Sequence, residues 1–187
     1  MKYKEIIKET QDSLSKLSEQ LNNIEIKEKY EFEIQSHEFY EFQDKSKLNS
    51  ITANFSPPLI YTIDITDSYK LQELLKKYQN RPHGLKTSKF NYRNKEVPVQ
   101  NTLYVGSTIK NFYSRLKQHL GLIGKNLYSM HLSRWDEQMI YTIKVTVYKI
   151  KNIKDPEIII TQNIVEVIEQ QIWDKLQPVF GKKSGQL

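Results

Sequence analysis

The stretch Thr102 to His119, TLYVGSTIKNFYSRLKQH, constrains the fold most, because a short apolar strand signal runs into a glycine and then into a basic amphipathic helix. Leu103, Tyr104 and Val105 have the aromatic and branched character of a buried strand. Gly106 is expected to permit a turn that residues with a Cβ resist. Asn111 is placed to cap a helix that carries Phe112, Leu116 and Leu120 along one side. Arg115 and His119 then share a helical face, from which a guanidinium and an imidazole can reach the same anion.

A chain of 187 residues fits one domain with an appendage and can bury a core without staples. It contains no cysteine, which excludes disulfides, thiolate chemistry and cysteine-ligated zinc. The start, MKYKEIIKET, has no apolar signal region and no run approaches bilayer length, so the cytoplasm is the expected location and no membrane contact is expected. The net charge of +6 is unevenly spread: residues 1–50 hold 8 Lys against 11 acidic residues, a net −3, which leaves +9 for the remainder. A basic body suits a polyanionic partner through phosphate neutralisation; a solvated basic surface is the plainer reading of the same count.

Along the chain, residues 2–23 predict a helix on which Tyr3, Ile7, Thr10, Leu14, Leu17, Leu21 and Ile24 recur at alternating steps of four and three. Such a stripe docks either on its own domain, the favoured reading, or on a second copy as a homodimer. Ile24 to Tyr40 mixes apolar and acidic residues in partial alternation, which predicts a strand or hairpin with one charged face. Beyond the break at Ser56-Pro57-Pro58, Leu59, Tyr61, Ile63 and Ile65 share one strand face. A helix capped by Thr66 or Asp67 follows, with Leu71, Leu74, Leu75 and Tyr78 inward.

Residues 81–100 read as a basic loop with Arg81, Lys86, Lys89, Arg93 and Lys95, in which Phe90 and Tyr92 either stack on exposed bases or pack locally. Lys110 and Lys117 add to the nucleic-acid-binding candidates. Leu127 to Trp135 predicts a short helix or strand edge, with His131 and Trp135 as a structural pair. Met139 to Ile150 alternates clearly as a strand. Thr161 to Gln177 predicts a helix with Ile164, Val165, Ile168, Ile172 and Leu176 inward; Glu169 falls at the margin of that stripe and Glu166 in solvent.

Tyr104-Val105-Gly106 with Arg115 and His119 resembles the second half of the GIY-YIG nuclease signature, Leu59-Ile60-Tyr61 its first half, and Glu169 with Pro178 its acidic element, over roughly residues 58–181. The resemblance implies an α+β fold: a small, mostly antiparallel sheet of about three core strands flanked by helices. The nuclease-like domain would span 56–187, after an N-terminal helix and acidic segment over 1–55, with an insertion over about 66–100 between the first two core strands. It also implies roles. Tyr61 acts as or assists the general base, Tyr104 lies beside it, Arg115 grips the scissile phosphate, His119 helps handle nucleophile or phosphate, and Glu169 holds one divalent ion, Mg²⁺ or Mn²⁺. The substrate class implied is DNA, most naturally double-stranded, cut at its phosphodiester bonds. The chain departs from the family with Leu59 at the glycine position, Gly181 in place of an asparagine, and eleven residues from Tyr104 to Arg115, one more than usual. A phenol titrating near ~10 is a poor base at neutral pH, so its neighbours are expected to lower that value. The alternative is a catalytically inactive nucleic-acid-binding module on the same scaffold.

Overall fold

A computed structural model describes residues 3–42, 45–91, 101–155 and 159–183. Its helices are α1 (Tyr3–Leu21), α2 (Glu38–Glu41), α3 (Lys45–Thr52), α4 (Leu71–Gln79), α5 (Phe112–Leu120) and α6 (Gln162–Leu176). Its strands are β1 (Ile24–Gln35), β2 (Leu59–Ile65), β3 (Thr102–Thr108) and β4 (Thr142–Asn152). They form one four-stranded sheet in the order β1-β4-β2-β3, and every neighbouring pair is antiparallel. The fourth strand beyond the expected three is β1, whose acidic residues face the basic alternation of β4, as in Glu33 opposite Lys144.

Strands β2 and β3 are direct neighbours although residues 66–101 separate them in sequence. Residues 66–101 therefore loop out between adjacent strands. Their first part is the expected helix, with Leu71, Leu74, Leu75 and Tyr78 all buried. Asp67 does not cap it: a 3₁₀ turn over Ser68–Lys70 intervenes, and the Asp67 carboxylate accepts instead from the Thr142 amide at 3.0 Å.

One face of the sheet carries the larger core, in which Tyr61, Ile63, Val145 and Val147 pack with α4 and with Phe112, Leu116 and Leu120 of α5. The opposite face carries a smaller one, where Ile60 and Ile150 meet Ile164 and Val165 of α6. Only Leu17 and Leu21 of α1 reach that second cluster. The rest of the stripe does not dock on the domain: α1 buries no residue, and Tyr3, Ile7 and Leu14 are 72%, 59% and 57% exposed. Helix α6 buries more of its circumference than its predicted stripe, since Val167, Gln170 and Trp173 are covered as well, while Ile168, Ile172 and Leu176 are only half-buried. No helix among the described residues is long and apolar enough to cross a membrane.

Candidate active site

The site starts from the β2–β3 ladder. Tyr61 lies directly opposite Gly106, and Tyr104, two residues earlier on β3, shares that face. The two rings stack with centroids 6.3 Å apart. Gly106 is not in a turn, as its sequence context suggests, because β3 continues through it to Thr108. Its requirement is space: a Cβ there would sit 2.6 Å from Cε1 of Tyr104 and 2.7 Å from the Tyr61 hydroxyl. The glycine thus lets two phenols converge over one strand position.

Helix α5 delivers the next two groups. Asn111 caps it as predicted, its side-chain oxygen accepting from the Ser114 amide at 2.9 Å. At the far end Gly121 adopts φ 92°, the left-handed C-terminal stop for which glycine carries no Cβ penalty. The apolar side of α5 seats it on the sheet, which drives His119 inward until it is fully buried. Its Nε2 lies 2.9 Å from the Tyr61 hydroxyl and its Nδ1 2.9 Å from Oγ of Ser129. The Tyr104 ring is 4.3 Å from the imidazole centroid to centroid. Arg115, one turn earlier, stays half-buried, and its Nη1 donates to Oε1 of Gln118 at 2.6 Å. The same guanidinium is close enough to both phenols to act on their titration.

Glu169 of α6 completes the group. It is half-buried, as its marginal position on the helix predicts, and its carboxylate accepts a hydrogen bond from Ser107 of β3. The two tyrosines, Arg115 and Glu169 are close enough to act on one another's titration. Burial raises Glu169 above the usual carboxylate range, with Ser107 partly offsetting it. Burial also raises Tyr104, against the opposing pull of Arg115. For Tyr61 burial outweighs Arg115 decisively, and the phenol is pushed far up, with Tyr104 and Glu169 adding to the rise. The expected lowering of the Tyr61 phenol is therefore absent in the free protein. His119 moves well below its ordinary value through burial, then through Arg115 and His131. At neutral pH both phenols keep their protons and the imidazole is uncharged.

The basic candidates divide. Lys86, Lys89 and Lys110 are exposed. Arg81 is occupied: it lies 4.1 Å from the Tyr78 ring centre, donates through Nε to Thr87 at 3.0 Å and through Nη1 to the Tyr78 carbonyl at 3.0 Å. Lys117 is buried against Tyr113, with Nζ 3.4 Å from its hydroxyl, and presents no surface cation. Arg93 and Tyr92 lie outside the described residues. Phe90 is not a free stacking platform, since it packs on Tyr78 and Phe180 with centroids 6.2 Å away in each case. The backbone of Lys89 accepts from Gly181, and Gly181 abuts Tyr104, which sets this exposed lysine beside the site. Trp135 contacts Tyr78 and Phe180, and His131 instead bonds the Leu127 carbonyl, so the two do not form the expected pair.

Sequence reasoning missed Ser107, Gln118 and Ser129, the polar partners of Glu169, Arg115 and His119. Single serines and glutamines carry no periodic signal; the alternation of β3, which sends Ser107 away from the Tyr104 face toward α6, is the one hint available. Among the described residues no group of three His, Asp or Glu side chains gathers as a metal cage. A lone, anchored carboxylate nevertheless fits Mg²⁺, which keeps most of its waters and binds through one or two carboxylates plus substrate phosphates. No family model, curated protein or solved structure matches the chain.

Proposed function

We propose that the chain is a metal-dependent endonuclease that hydrolyses phosphodiester bonds in double-stranded DNA through a site of the GIY-YIG kind. The observation that carries this reading is convergence: Tyr61, Tyr104, Arg115, His119 and Glu169, drawn from two strands and two helices, lie close enough together for their rings to pack and their charges to act on one another. Arg115 grips the scissile phosphate, where a donor-only guanidinium matches two oxygens. Tyr104, which unlike Tyr61 is not fully buried, meets the attacking water. Tyr61, closed to solvent, assists from behind: as the water's proton moves onto the phenol pair, the Tyr61 proton moves on to Nε2 of His119, which becomes the imidazolium. Glu169 would hold one Mg²⁺ or Mn²⁺ ion, which when bound supplies positive charge at the phosphate. Lys86, Lys89 and Lys110 contact the backbone of the duplex.

A second reading has its own support. The Tyr61 hydroxyl is buried, hydrogen-bonded and pushed toward its protonated form, which suits a binding module that no longer cuts. One experiment separates the two. Plasmid and linear duplex are incubated with Mg²⁺ and either the parent, Arg115→Ala or Glu169→Ala, and binding is measured in parallel. Cleavage by the parent that both substitutions abolish supports the endonuclease. Salt-sensitive binding without cleavage supports the module, and neither binding nor cleavage sinks both.

A further inference from the structure

The buried side of the site contains a residue to which the proposed chemistry assigns no task. Ser129 is fully buried, and its Oγ lies 2.9 Å from Nδ1 of His119. It is held from outside by the insertion: the Ser88 amide donates to the Ser129 carbonyl at 2.7 Å, Thr87 and Ser129 form a parallel bridge, and the Tyr78 hydroxyl donates to the Ser88 carbonyl at 2.7 Å. A chain of contacts thus runs from α4 through the insertion to the imidazole.

The proton count along that chain is constrained. Nε2 of His119 lies 2.9 Å from the Tyr61 hydroxyl, and Arg115, close enough to act on the phenol's titration, can only donate, so the phenol's proton has Nε2 as its acceptor. A neutral imidazole carries one N–H, which then sits on Nδ1 and finds Oγ of Ser129 as its acceptor. The groups facing the ring from each packed element are Tyr61 on β2, Tyr104 on β3, Arg115 on α5 itself and His131 in the segment after it.

We propose that Ser129 is a positioning residue that fixes His119 as the Nδ1–H tautomer, keeping Nε2 free to receive the Tyr61 proton, and that Thr87 and Ser88 buttress it. The tautomer is a property of the free protein, whereas its use in catalysis rests on the endonuclease reading.

The test is a long-range ¹H–¹⁵N spectrum of the full-length, labelled, DNA-free protein at neutral pH. It has 4 histidines, and His119→Gln identifies the signal of interest. An Nδ1–H pattern in the parent, with a gain of the Nε2–H form in Ser129→Ala, is the expected result. An Nε2–H pattern in the parent overturns the proposal, and so does an unchanged pattern in a folded Ser129→Ala; the parent spectrum alone decides should that variant not fold. Where the parent cleaves DNA, Ser129→Ala is expected to lower kcat about tenfold with KM unchanged. A protein that never cuts DNA yet shows the Nδ1–H form leaves the positioning role standing without the nuclease. One that cuts while showing the Nε2–H form does the reverse.

Discussion

Tyr61, His119 and Ser129 are closed to solvent and direct their polar atoms at one another, whereas Tyr104, Arg115, Ser107 and Glu169 are only partly buried around them. The inner set sits in the large core beneath α5, so its geometry is fixed by packing. The outer set sits where β3 meets α5 and α6, and each cation or anion there leans on one polar neighbour, Gln118 or Ser107. The contrast shows how a small fold separates two demands. Rigidity is delegated to groups that never meet solvent, and reach to groups that do.

If the chain cuts DNA as proposed and that division holds, the largest effects on cleavage belong to the outer set. Arg115→Ala and Glu169→Gln are expected to lower kcat on plasmid by about 10²–10³-fold, the size typical of losing a transition-state charge partner, with thermal midpoints near the parent's. A large fall in midpoint would show that these residues also hold the fold. Gly106→Ala tests the junction between the sets. Its methyl group must displace the Tyr104 ring or the Tyr61 phenol, and we expect a loss of about 1–3 kcal/mol in denaturant unfolding, as overpacked cores show. A neutral result would mean that the two rings yield freely.

The pH dependence of stability sharpens the comparison, because the sets pull in opposite directions. His119, held below its ordinary value, contributes stability that is present above about 6.5 and is lost as pH falls toward the depressed folded value. Glu169, held above its ordinary value, contributes stability that is present below about 4.3 and is lost as pH rises through the folded value. His119→Gln should remove the loss of stability on acidification below about 6.5 and Glu169→Gln the opposed loss as pH rises from about 4.3, read from urea midpoints across pH. The smallest effect concerns α1. Removing residues 1–13 should change unfolding free energy by no more than about 0.5 kcal/mol, because the exposed turns bury nothing. If ultracentrifugation shows a dimer that this truncation dissolves, the stripe's partner is a second copy.

What the sequence made legible is local. The Asn111 cap and the inward stripe of α4 follow from neighbours in the chain and are found in place, whereas the alternation expected of β2 and β4 is blurred, because Ile60, Thr62 and Thr146 on the second face are buried too and β4 begins at Thr142, not Met139. The role of Gly106 was not legible, since it arises from a ring that lies 45 residues earlier and opposite it in the ladder. A charge total does not say where the cations lie. Arg81 and Lys117 add to the basic total, yet one braces the turn after α4 and the other packs on a tyrosine, because long stems gain from burial that a charge count ignores. Helix α6 exceeded its predicted stripe because it is covered from more than one side, by the small core and by β3.

The adjacency of β2 and β3 also governs what can change without harm. A slip of one residue in their pairing would carry Tyr61 to the other side of the sheet and leave Gly106 facing empty space. The spacing of the phenols is therefore written in the ladder, and the number of residues looped out between the strands sets none of it. That excursion can alter its outward side chains while the two phenols keep their spacing.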